Sequence, residues 1–148
     1  MIKMAPENSD KKFADKHRPD EKPDSLIKYE ILKHSLNSEL SCVSAFLIAK
    51  ELNVSPGKVG MTADLINCRL IKCQLGLFGY RPDKKITKPL KTANQNLKNT
   101  ITDNLVEGKL ACKFAWDIAS RFKVNKMTIS NICEGMNIKI NECQLGVF

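Results

Sequence analysis

Apolar residues recur at about one helical turn in paired stretches along this chain. Leu26, Ile27, Ile31, Leu32 and Leu36 do so first, and Leu97, Ile101, Leu105 and Val106 do so later. Between and after them lie two tighter patterns. Ala45, Ile48, Ala49 and Leu52, and again Ala115, Ile118, Ala119 and Phe122, follow the i, i+3, i+4, i+7 spacing of a single buried helix face. Val59 with Thr62, and Ile129 with Ile132, return a following helix to the same core. A further stretch alternates: Ile71, Cys73, Leu75 and Leu77 fall on one side, and Lys72, Gln74 and Gly76 on the other. That spacing predicts a strand with Cys73, and by repetition Cys143, facing inward.

The pairing of these stretches reflects a duplication. Cys-Gln-Leu-Gly occurs at Cys73–Gly76 and again at Cys143–Gly146, an offset of 70. Setting Leu40–Phe78 over Leu110–Phe148 gives twelve identities in 39 positions without a gap. Like replaces like elsewhere, as in Phe46 with Trp116, Leu52 with Phe122 and Val59 with Ile129. Each copy is therefore expected to run helix, brief extended piece, two close helices, terminal strand.

The middle of each copy has the marks of two helices joined by a tight turn. Ala49 and Ala119 supply the small side chain that a steep helix crossing needs. Asn53 tolerates the left-handed backbone of the turn. Val54 and Val124 plug the turn into the core. Ser55 followed by Pro56 is a strong helix start, and Asn125 is the corresponding cap in the second copy. On these residues the chain resembles the helix-turn-helix superfamily, and the trailing strand makes it similar to the winged variety. The resemblance covers about 50 residues twice. It implies a mainly α fold: two tandem three-helix helix-turn-helix, winged-helix-like modules, each with a short β-strand. The expected organisation is a disordered tail at 1–23, a first module at 24–80, a basic linker at 81–93 and a second module at 94–148. A winged module needs two strands after its second helix, and only one follows in the second copy. The terminal strand is therefore expected to pair with the segment around Leu110–Lys113 or with the strand of the other copy, and a long wing is not expected in the second module.

The resemblance also implies a function: sequence-specific binding of double-stranded DNA, with the second helix of each pair in the major groove. Carried over by position, the base-reading candidates in the second copy are Asn125, Lys126, Thr128, Ser130 and Asn131. Asn bonds adenine through two atoms, Lys suits guanine or phosphate, and hydroxyls reach either. The matching surface in the first copy is Ser55, Gly57, Lys58, Gly60 and Met61, which is poorer in donors, so the modules are expected to be unequal readers. Asp64 and Glu134 occupy equivalent places expected to be exposed. A transcription regulator follows from this reading. A protein-interaction or assembly module is the alternative, since modules of this kind also dock proteins. One chain would imitate the pseudo-two-fold dimer of single-module proteins, or would itself form a homodimer.

Charge adds to that picture. The formal net charge is +8, and +4 of it lies in Gly79–Asn96, which carries Arg81, Lys84, Lys85, Lys88 and Lys91. Such a connector is expected to lie across DNA phosphates. Met1–Pro23 mixes Lys, Asp, Glu and Pro with little to bury and is expected to be disordered and dispensable for folding. No apolar run approaches the ~20 residues of a membrane span, and no signal segment is evident at the start, so a cytoplasmic location is expected, with no membrane partner. In that compartment six cysteines do not imply disulfides. Cys42, Cys73, Cys112 and Cys143 form duplicated pairs and are the candidates for a metal or redox sensor. Burial as small apolar residues is the plainer expectation for them, and no CxxC pair supports zinc. Cys68 and Cys133 lack cysteine partners at Ile138 and Ala63. His17 and His34 lie outside the helix-pair motifs, and no phosphate loop or nucleophile elbow occurs, so neither an enzyme nor a cofactor is expected.

Overall fold

The structure is a computed structural model that describes residues 17, 18 and 21–148. Most of the tail assigned to 1–23 thus lies outside the described residues. The fold is mainly helical with short strands. In chain order the elements are α1 (Ser25–His34), β1 (Glu39–Ser41), α2 (Cys42–Leu52), α3 (Pro56–Leu65), β2 (Arg69–Ile71), α4 (Gln95–Asp103), β3 (Lys109–Ala111), α5 (Cys112–Phe122), α6 (Lys126–Gly135) and β4 (Lys139–Asn141). Among the described residues no helix is long and apolar enough to cross a membrane.

Local chemistry sets the boundaries. Asp24 caps α1 by accepting from the Ile27 N–H, and Asn94 caps α4 by accepting from the Leu97 N–H. Asn53 ends α2 at φ 55°, Ser55 accepts from the Lys58 N–H, and Pro56 opens α3. The second copy reaches the same backbone with poorer residues. Lys123 takes the left-handed position at φ 55°, and Asn125 stands at the cap of α6 without a side-chain hydrogen bond. Left-handed residues recur in step through the repeat: Asn37 and Glu107, Ser38 and Gly108, Asn67 and Asn137, Lys72 and Glu142, Gly76 and Gly146. The backbone is duplicated more faithfully than the side chains.

β1 pairs with β2 and β3 with β4, both parallel, with Leu40 opposite Leu70 and Leu110 opposite Ile140. The terminal strand of the second copy therefore pairs at Lys109–Ala111, which overlaps the first of the two segments expected. The strands are shorter than the alternation implied. Leu70 faces inward, and the strand stops at Ile71 because Lys72 turns left-handed. Cys73–Gly76 is a turn rather than strand, closed by the Gly76 N–H on the Cys73 carbonyl at 2.9 Å. Cys73 N–H then bonds the Phe78 carbonyl, as Cys143 N–H bonds that of Phe148.

The compact units do not coincide with the copies. One unit comprises residues up to Ile71 together with Leu145–Val147; the other comprises Lys72–Gln144 with Phe148. The first copy's Cys73 and Leu75 lie in the core of the second unit, among Leu97, Ile101, Leu110, Ala115, Ile118, Ile129 and Ile132. Leu145, from the end of the second copy, is buried in the first unit, its backbone against Gly60 of α3. Each unit is completed by the terminal turn of the other copy. In the first unit the remaining core includes Ile27, Ile31, Leu40, Ala45, Ile48, Ala49, Val59 and Leu70. Val54 is half-buried, but Val124 is exposed at 36% and does not plug its turn into the core.

Candidate nucleic-acid interface

The residues expected to meet DNA fall into three groups. Ser55, Lys58 and Asn125 are exposed at the starts of α3 and α6. Ser55 commits its hydroxyl to the helix cap, at 3.2 Å from the Lys58 nitrogen. Met61 and Thr128 are half-buried, as is Lys126, whose ammonium sits over the Trp116 ring at 4.6 Å from its centre. Ser130 is buried at 2% exposure and its hydroxyl has no hydrogen-bond partner, which corrects its assignment as an exposed base reader. The reason is its helix face. Ser130 lies between Ile129 and Ile132 on the inner side of α6, and Met127, one turn earlier, lies against Gly76. Its counterpart Gly60 is likewise buried, and a Cβ there would run into the Leu145 carbonyl.

Asn131 belongs to another arrangement. Its side-chain oxygen accepts from the Lys88 N–H at 2.9 Å, and its backbone carbonyl accepts from the Leu90 N–H at 3.0 Å. Beside it, Glu134 takes the Lys85 ammonium at 3.0 Å and the Thr87 hydroxyl at 3.4 Å. Gly135 lets the segment pass closely, since a Cβ there would meet the Leu90 carbonyl oxygen at 2.6 Å. Residues 85–90 are therefore bonded along the C-terminal half of α6 and do not form a free linker. Asn131 is half-buried and holds this arm, where it was expected to be exposed.

The first copy has the same contact. His17 Nε2 lies 2.9 Å from Asp64 Oδ2. His17 and Thr87 are 70 residues apart, as are Asp64 and Glu134. Asp64 is buried, not exposed as its position had suggested, and Glu134 is half-buried. His17, within the tail expected to be disordered, is thus held against α3. Walking the 70-residue offset towards the N-terminus would have found this register, because Arg18-Pro19 stands over Lys88-Pro89. The repeat begins with the arm.

Lysines 84, 85, 88 and 91 and Arg81 are all exposed on or next to the second arm. The basic segment thus runs beside α6, while the exposed start of that helix, Asn125, lies outside its bonded span. Exposed positive charge and an exposed asparagine at a helix start occur together in this unit.

None of the six cysteines is in a disulfide. Burial raises the thiols of Cys68, Cys73 and Cys112, and pushes Cys133 up to about 12. Cys143 is half-buried rather than facing the core as alternation implied. Among the described residues no group of three or more His, Cys, Asp or Glu is placed to hold a metal ion. Compared with the profiles of known protein families, with curated proteins and with solved structures, the chain matches none.

Proposed function

We propose that this chain is a sequence-specific double-stranded DNA-binding protein, acting as a transcription regulator, built on two tandem helix-turn-helix modules. The observation that carries the reading is the basic arm bonded along α6, the second helix of its pair. In this arrangement the N-terminal end of α6 enters the major groove, where Asn125 bonds a base edge and Thr128 supports it. Lys84, Lys88 and Lys91 reach the flanking phosphates. The arm occupies only the C-terminal half of the helix, which a groove-entering helix leaves outermost. Ser130 and Asn131 position the helix and the arm and do not read bases.

The first module is the weaker reader. Its α3 offers Lys58 to phosphate, with Ser55 committed to its own helix. Selection of the full chain against random duplexes is expected to enrich one sequence. Asn125→Ala is expected to lose about 1–3 kcal/mol on that sequence and little on unselected duplex. Enrichment of no sequence, or equal loss on both duplexes, would reject base reading by α6.

A further inference from the structure

The outer face of α1 is apolar and exposed among the described residues. Leu26, Tyr29, Leu32 and, just past the helix end, Leu36 are exposed at 65, 63, 58 and 75%. At 100° per residue Leu26, Tyr29 and Leu32 fall within an arc of about 120°, directly opposite the buried Ile27 and Ile31. Scattered exposed leucines need no explanation, but a face of this width does. The second copy provides an internal control on the same backbone. At the four equivalent places stand Asn96, Asn99, Thr102 and Val106. The fold itself therefore does not require apolar residues at the three helix positions.

We propose that the outer face of α1 is a self-association surface that pairs antiparallel with the same face of a second copy of this chain. Tyr29 lies three residues after Leu26 and three before Leu32. A two-fold axis at Tyr29 sets Leu26 of one copy opposite Leu32 of the other, so the face is complementary to itself. Charge agrees with that orientation. The exposed Asp24 caps the N-terminal end, and Lys33 and His34 lie in the last turn. Antiparallel pairing brings Asp24 of each copy to the basic end of the other and opposes the two helix dipoles. Three residues of one helix face make an interface smaller than the roughly 800 Å² per partner of a standard complex, so the pairing falls in the weak, reversible class. This surface lies in the first unit and its test does not depend on DNA binding.

The test is sedimentation of the full chain across roughly 1–100 µM, a range suited to an interface of this size. The unmodified chain is expected to show a monomer–dimer equilibrium. The variant Leu26→Asn/Tyr29→Asn/Leu32→Thr, which installs the second copy's residues, is expected to weaken it at least tenfold. Its circular dichroism should not change, because none of the three side chains is in the core. Tyr29→Cys provides an independent readout, since a thiol at the axis should cross-link to its symmetry mate under mild oxidation far faster than the native thiols do. A chain monomeric throughout the range would overturn the proposal. So would a folded triple variant that dimerises as tightly as the original, or a dimer of the Tyr29→Cys variant that fails to cross-link.

Discussion

The two copies share a backbone and differ in what they place on it. Left-handed residues recur at the same steps, and the same positions are buried along α2 and α5. The surfaces differ. The first copy carries leucines and a tyrosine on the outer side of α1, whereas the second carries asparagines and a threonine there. The arm of the second copy is rich in lysine and is tied to α6 through Lys85, Thr87 and the Lys88 and Leu90 amides. The arm of the first meets α3 through His17 and Asp64. Turns and core positions fix the fold and are held in both copies. Solvent-facing positions contribute little to stability, which leaves them free to diverge, in our reading into a face for self-association and a face for nucleic acid.

The exchanged terminal turns provide the largest expected effects. Leu75→Ala and Leu145→Ala each remove a fully buried side chain and should cost about 2–5 kcal/mol. The location of the damage sharpens the comparison. Hydrogen exchange should quicken in α4–α6 for Leu75→Ala, although Leu75 belongs to the first copy, and in α1–α3 for Leu145→Ala. The reverse pattern would mean that each copy keeps its own turn.

Thiol titration separates the copies at the position where Cys133 stands over Ala63 in the repeat. Below about pH 9 the Cys133 thiol is protonated in both folded and unfolded chains, and its contribution is constant. Above that, the unfolded chain loses the proton first while burial holds the folded thiol to about 12. Stability should therefore fall by about 1.4 kcal/mol per pH unit from this group alone, approaching 3 kcal/mol by about pH 11. Cys133→Ala, the residue of the first copy, should remove that part of the alkaline slope in denaturant titrations. An unchanged slope would place the titration elsewhere.

A smaller effect tests the tight approach at Gly60. Gly60→Ser, again borrowing from the other copy, should cost about 2–3 kcal/mol because the new Cβ meets the Leu145 backbone, which cannot rotate away. Ser130→Ala should instead gain up to about 1 kcal/mol by removing a buried hydroxyl without a partner. Paired thermal melts check both signs.

These contrasts also show how much the sequence disclosed. The helix pairs are legible because Ala45, Ile48, Ala49 and Leu52 have one spacing and one meaning, and because Asn53, Ser55 and Pro56 punctuate the turn. The destination of Leu75 is not legible. Periodicity says that a side chain is buried, but not in which of two similar cores. Alternation through Ile71–Leu77 suggests a longer strand because apolar pattern carries no record of the left-handed Lys72. The arm reads as a linker since it is polar and is held mainly by two backbone amides and two side chains. Ser130 falls one position around its helix from the expected face, which is the difference between a base reader and a core residue.

If the arm lysines lie on phosphate while α6 is in the groove, as proposed, their removal must flatten the salt dependence of binding. The measurement is a titration of the full chain and its Lys84→Ala/Lys88→Ala variant against one duplex over a series of salt concentrations. The chain is expected to bind with a steep salt dependence, and the variant should lose about 2 from the slope of log affinity against log salt, since each phosphate contact contributes about 0.9. No binding at low salt, or the same slope in both proteins, would contradict the proposal.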